Sequence, residues 1–133
     1  TQQAEWKPRY GHAAVIDKQD VIYLLGGFFA DKMSGHVQCF NDVWRSSDDG
    51  SSWQLVVEHA PWTGRYQHTA QINNLGEIFM TGGLSLNLDR CGDVWRSKDF
   101  GSSWESVSPS APWSARYEHA TVIDQNSTMY VMG

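Results

Sequence analysis

At 133 residues, 41% of them hydrophobic, the chain is long enough for one small domain with a buried core. The net charge of −5, with no basic run, leaves nothing to neutralise phosphates and excludes a nucleic-acid partner. No apolar stretch approaches the length of a membrane-crossing helix, so membrane insertion is not expected.

In chain order, residues 1–9 read as a lead-in loop carrying Trp6 and Arg9. Short apolar runs with period-two alternation then predict four strands at 10–16, 21–26, 41–46 and 52–57. Residues 58–65 form a connecting loop. A second unit, 66–107, offers strands at 66–72, 77–82, 92–97 and 103–107. After a loop at 108–116, residues 117–133 offer the first two strands of a third unit, 117–123 and 128–132. No segment carries helical periodicity, and the expected class is all-β.

The units are copies of one another. Arg9-Tyr10-Gly11-His12 recurs as Arg65-Tyr66-Gln67-His68 and as Arg116-Tyr117-Glu118-His119, each with a Trp three residues upstream at Trp6, Trp62 and Trp113. Gly26-Gly27 and Gly82-Gly83 close the second strands. Asp42-Val43-Trp44-Arg45-Ser46 recurs 51 residues later as Asp93-Val94-Trp95-Arg96-Ser97. A repeat of this length is the mark of a stacked β architecture. On each first strand, His12, Ala14 and Ile16, then His68, Ala70 and Ile72, then His119, Thr121 and Ile123, fall on one face together with the Tyr. That repeated face is expected to pack on a neighbour. The other face differs between copies, with Gly11, Gln67 and Glu118 at one level.

The third strands run into Ser46, Asp48, Gly50, Trp53 and Ser97, Asp99, Gly101, Trp104. Each reads as a tight turn in which the carboxylate accepts turn amides, the glycine takes positive φ and the tryptophan caps the loop. The two cysteines, Cys39 and Cys91, stand just before the third strands of adjacent units. Near-equivalent positions fit a disulfide between neighbours, with two free thiols as the alternative. Asn126-Ser127-Thr128 is a glycosylation sequon in an expected hairpin turn.

Arg-Tyr-x-His, the glycine pair and Asn41-Asp42-Val43-Trp44 together resemble the kelch repeat over nearly the whole chain. The second copy departs with Gly92 in place of Asn41. The resemblance implies a β-propeller segment of four-stranded antiparallel blades, two complete and half of a third. The Ser-x-Asp-x-Gly-x-x-Trp turn resembles the Asp-box, or BNR repeat, of sialidases and other secreted propellers. That resemblance, the sequon and the cysteines favour an extracellular or secretory-pathway protein. Two and a half blades close no ring, so the segment is expected to pair with further blades of the same propeller, either in a longer chain or in a ring of several short chains.

The chemistry expected of the repeated residues is structural. Arg9, Arg65 and Arg116 occupy one repeated position and match the scaffold arginine of the kelch strand, not a sialidase triad. His12, His68 and His119 are expected within their blades, with no metal and no cofactor. Function is expected where the copies differ, on the loop face. The first such loop, between Gly27 and Asn41, holds the five-residue excess and carries Phe28, Phe29, Asp31, Lys32 and His36. The second carries Leu86, Asn87, Asp89 and Arg90, and Trp62 and Trp113 lie in the connecting loops. Mixed apolar and charged groups on one rim suit a protein or glycan partner, and the two tryptophans suit sugar stacking. The expected function is a non-catalytic binding or assembly module. The alternative is part of a carbohydrate-active enzyme, sialidase-like or galactose-oxidase-like, completed by other blades.

Overall fold

The computed structural model describes residues 4–133; the first three residues of the expected lead-in lie outside the described residues. β1 (Ala13–Ile16), β2 (Ile22–Ala30), β3 (Val37–Ser46) and β4 (Gln54–Val57) form one antiparallel sheet in chain order. The two-residue β5 (Arg65–Tyr66) opens the second unit. β6 (Thr69–Ile72), β7 (Ile78–Thr81), the two-residue β8 (Leu84–Ser85), β9 (Val94–Ser97) and β10 (Glu105–Ser108) follow. Of these, β6, β7, β9 and β10 make the second four-stranded sheet, and β5 pairs with β8 at its end. β11 (Ala120–Ile123) and β12 (Met129–Met132) form a hairpin. Each of the first two units supplies the expected four strands with altered bounds, β5 and β8 are additional, and no helix occurs among the described residues.

The first strands stand nearest one another: β6 packs beside both β1 and β11. The blades are therefore arranged radially, with these three strands innermost. The core lies between the first two blades. Ala13, Tyr23, Leu25 and Val43 of one meet Ala60, Trp62, Ala70, Ile78, Met80 and Trp104 of the other. Each large apolar side chain buried there contributes about 1.5–3 kcal/mol. The repeated face behaves as expected in the second blade, where His68 and Ala70 are buried. On β1 the same face is exposed, with Ile16 53% accessible, while Ala13 on the opposite face is buried against the second blade.

Close approach between blades explains the first glycine of each pair. A Cβ on Gly26 would stand 2.9 Å from the Arg65 carbonyl and 3.0 Å from the His68 ring, and one on Gly82 would stand 2.6 Å from the Arg116 carbonyl. The following blade's Arg-Tyr-x-His segment occupies that space. His68 and His119 are thus wedges between blades.

The doubled Asp-Val-Trp string is explained by one ion-pair network. Arg9 grips Asp42 with two nearly parallel bonds, 2.6 and 2.9 Å, and donates to the Gly26 carbonyl at 2.9 Å. Arg65 repeats this with Asp93 at 2.5 and 2.8 Å and with Gly82 at 3.0 Å. The indoles of Trp44 and Trp95 donate to the same carboxylates at 2.8 and 2.7 Å. Each aspartate therefore joins the lead-in arginine to the third strand. Asn41 adds a side-chain bond to the Ala60 carbonyl at 2.8 Å. Gly92 lacks that side chain but keeps the backbone bond from Ala111 at 2.7 Å.

The Ser-x-Asp-x-Gly-x-x-Trp segments are turns of the expected kind. Asp48 accepts the Ser52 amide at 2.9 Å and Asp99 accepts the Ser103 amide at 2.8 Å. Ser46 and Ser97 accept the glycine amides at 2.9 and 2.8 Å. Trp104 bonds the Gly101 carbonyl at 3.0 Å, and Trp53 meets Trp6 edge-on at 5.9 Å. The turns between first and second strands have a matching device, unforeseen from the sequence. Asp17, Asn73 and Asp124 each accept two amides of their own turn. Their spacing equals that of the three histidines, which was the available signal.

Arg65 is only 1% accessible, so removing its partner strands a buried charge. Asp93→Ala should cost about 3–5 kcal/mol in urea unfolding. A loss below about 1 kcal/mol would mean that the pair does not hold the blade together.

Candidate functional site

Two features separate the loop face from the expected pattern. The first is a break in the inner strands. The residue after each Tyr is left-handed: φ is 63° at Gly11, 55° at Gln67 and 53° at Glu118. The expected continuous strands 10–16 and 66–72 are therefore interrupted, and Tyr10 joins the sheet only through a bridge to Phe28. The left-handed residues form a relay from blade to blade. Gln67 N–H donates to the Gly11 carbonyl at 2.7 Å, and Glu118 N–H donates to the Gln67 carbonyl at 3.0 Å.

The second is the segment expected as a loop between Gly27 and Asn41, which is instead a β-hairpin. Phe28 pairs with Cys39, Phe29 with Gln38 and Ala30 with Val37, so Phe28 and Phe29 lie on β2. Asp31 organises the tip, accepting the Met33 amide at 2.9 Å and the Ser34 hydroxyl at 2.5 Å. Lys32 is exposed there, and His36 stands 6.1 Å from the Phe29 ring. In the second blade the equivalent connection is a short turn closed by Ser85 and Asp89.

These features place an aromatic row on the face. Tyr10, Phe28 and Tyr66 meet at ring separations of 5.2 Å (Tyr10–Phe28), 5.0 Å (Phe28–Tyr66) and 6.2 Å (Tyr10–Tyr66). Tyr10 is 55% accessible. Farther along, the Arg90 guanidinium lies 5.5 Å over the Tyr117 ring. Burial raises the Tyr66 phenol pKa, helped by the negative charges Cys39, Tyr10, Tyr117 and Glu118 would carry on ionising, so the phenol stays a neutral hydrogen-bonding group at neutral pH. A cleft of about 380 Å³, lined by none of the three rings, borders the row through Cys39, the strand partner of Phe28. Val37, Gln38 and Cys39 of the hairpin line it, with Leu86, Asn87, Asp89 and Cys91 of the second blade and Thr63 and Gly64 of the connecting loop.

The structure thus brings the hairpin and Leu86, Asn87 and Asp89 together, but it corrects other expectations. Trp62 is 1% accessible, packed edge-on against Trp104 at 6.0 Å and beside His68, so it is core and presents no stacking surface. Trp113 is half-buried. Cys39 and Cys91 are free thiols, not a disulfide. They are not equivalent residues: Phe40 pairs with Gly27, whereas it is Cys91 that bonds Gly83. Neighbours along a strand face opposite ways, so the one-residue offset ends the equivalence, and the two thiols line the same cleft unbonded. Burial pushes the Cys39 thiol up to about 11, with the neighbouring Cys91 adding to the rise, and raises Cys91 as well; both are protonated at neutral pH. Asn126 is exposed in its turn.

Sequence alone does not reveal the aromatic row, because period-two alternation places the tyrosines among packing residues on a continuous strand. The available signal was the unlike residue following each of them. Arg9 and Arg65 are engaged by Asp42 and Asp93, and Arg116 bonds backbone carbonyls. Among the described residues, no group of three His, Cys, Asp or Glu is placed to hold a metal ion.

The family model described as the KLHDC2/KLHL20/DRC7 Kelch-repeats domain matches residues 1–133. The chain belongs to the kelch-repeat family. Among curated proteins, the N-acetylneuraminate epimerases of Escherichia coli O157:H7 and of Shigella boydii serotype 4 (strain Sb227) are each 33% identical over 67 residues. Those residues are 50% of this chain and 17% of each epimerase. The solved structure of YjhT superposes with a TM-score of 0.72 at 19% identity, covering 88% of this chain and 42% of that one. That likeness shows the fold, a kelch propeller.

The wedge at His68 makes a testable demand on pH. Burial, then the charges of Arg65 and His12, lower its pKa to about 3. The unfolded chain takes up a proton that the folded chain refuses, so the stability is present above pH 6.5 and lost progressively as pH falls from there toward 3. His68→Gln should remove about 1.4 kcal/mol per pH unit from the slope of unfolding free energy against pH in that window. Parallel slopes for the two proteins, by urea titration between pH 7 and 4, would contradict the assignment.

Proposed function

We propose that this segment forms part of the ligand-recognition face of a kelch propeller and that the ligand is a saccharide. The observation that carries the reading is the row of Tyr10, Phe28 and Tyr66 beside a cleft bearing Gln38, Thr63, Asn87 and Asp89. Sugar rings present apolar C–H faces to aromatic rings and hydroxyls to amides and carboxylates, and the row and the adjoining cleft offer both. Similarity to proteins named for a sugar acid supports the same ligand class.

In this reading the segment recognises rather than reacts. Its paired arginines serve the scaffold within each blade, and its two thiols are held protonated. The epimerase relatives favour a second reading, in which the same face is part of a sugar-converting enzyme. Exchange spectroscopy on the anomers of N-acetylneuraminate separates the two, because only an enzyme accelerates their interconversion. An extracellular or secretory-pathway location belongs to the proposal. Its support is the likeness of the Ser-x-Asp-x-Gly-x-x-Trp turns to the Asp-box of secreted propellers, together with the exposed Asn126.

Tyr10 offers the cleanest test because it is exposed. In calorimetric titration of the intact protein with N-acetylneuraminate and with galactose, Tyr10→Ala should weaken whichever sugar binds by about tenfold, the value of one lost ring contact. Leu75→Ala, at an exposed turn between β6 and β7, should leave binding unchanged. Equal effects of the two substitutions, or no binding of either sugar, would sink the reading.

A further inference from the structure

The residue after each tyrosine has one backbone role and three different side chains. Gly11, Gln67 and Glu118 share φ values of 53–63°, and the relay of amide to carbonyl runs through all three. Gly11 carries that role with no side chain, so the fold does not require one there. A left-handed Gln or Glu is less favourable than glycine, because its Cβ crowds the following carbonyl oxygen. The second and third blades nevertheless hold a carboxamide and a carboxylate at the positions where strain would favour glycine.

The two side chains meet. Gln67 Nε2 donates to Glu118 Oε1 at 2.5 Å. Among the described residues, Gln67 Oε1 and Glu118 Oε2 have no hydrogen-bond partner, and Glu118 is exposed. The pair follows directly after Tyr66 and Tyr117, just before the innermost strands β6 and β11. Its capacity is therefore one acceptor oxygen on the carboxylate, one acceptor oxygen on the amide and the second amide N–H. Ligand hydroxyls, which both donate and accept, match that set. A ligand carboxylate, where there is one, must lie away from Glu118, which would repel it.

We propose that Gln67 and Glu118 are specificity residues of the same face: a carboxamide–carboxylate pair, fixed in strained backbone, that reads adjacent hydroxyls of a saccharide stacked on the tyrosines. Backbone strain held at a recognition site is the expected arrangement where side-chain placement matters more than stability. The inference rests on the saccharide reading above and adds the residues that discriminate among sugars by their hydroxyls.

Glycine substitution separates this role from a structural one. In Gln67→Gly and Glu118→Gly the relay is kept and the strain is removed, so the melting temperature should stay level or rise. Affinity of the intact protein for galactose and for N-acetylneuraminate, by calorimetry, should fall at least tenfold for the sugar that binds. A fall in melting temperature alongside affinity would make the pair a structural link between blades and overturn the inference. Unchanged affinity in both glycine variants, with Tyr10→Ala still weakened, would overturn it while leaving the saccharide reading intact. If Tyr10→Ala is also unchanged, the saccharide reading itself fails.

Discussion

The fold depends on a guanidinium held between a carboxylate and a carbonyl. Arg65 is fully buried, and its charge is tolerable only because Asp93 meets it with two bonds while Gly82 and Thr63 take further donors. Burial alone would raise the Asp93 pKa, but the bond to Arg65, its charge and the Trp95 indole outweigh burial and hold it low. The arginine enters from the lead-in to the inner strand, the carbonyl from the end of the second strand and the carboxylate from the third. One interaction therefore fixes three parts of a blade that hydrogen bonding between strands would leave free to splay.

That constraint positions everything on the loop face. With the arginine anchored, the next residue, Tyr66, pairs with Leu84, and the chain then turns through the left-handed Gln67 before β6. The same geometry in the first blade brings Tyr10 beside Phe28. The row of rings and the pair Gln67–Glu118 follow from a scaffold that repeats, decorated by side chains that do not. The opposite end of each blade is closed by aspartate and asparagine turns, where backbone role and side-chain chemistry repeat together.

Much of the fold was legible because its signals are local. Period-two alternation, glycine pairs and the Ser-x-Asp-x-Gly-x-x-Trp turns each act over a few residues, and their repetition gave the strand order. The site was less legible. The hairpin from Phe28 to Cys39 carries no turn signal strong enough to distinguish extra strand from loop. Trp62 looked like a loop residue because it is one, yet it is buried by Trp104, 42 positions later. Cys39 and Cys91 looked equivalent because sequence alignment tolerates a one-residue offset that a pleated strand does not.

By itself the sequence determined the repeat, the strands and turns within each unit, and the scaffold role of the arginines. These rest on covalent geometry and on contacts close in the chain. The tertiary structure decided which residues are exposed together: the aromatic row, the cleft between hairpin and second blade, the buried Trp62 and the unbonded thiols. Those outcomes depend on how one blade stacks upon the next, through contacts between residues about a repeat apart, and no local propensity encodes that stacking.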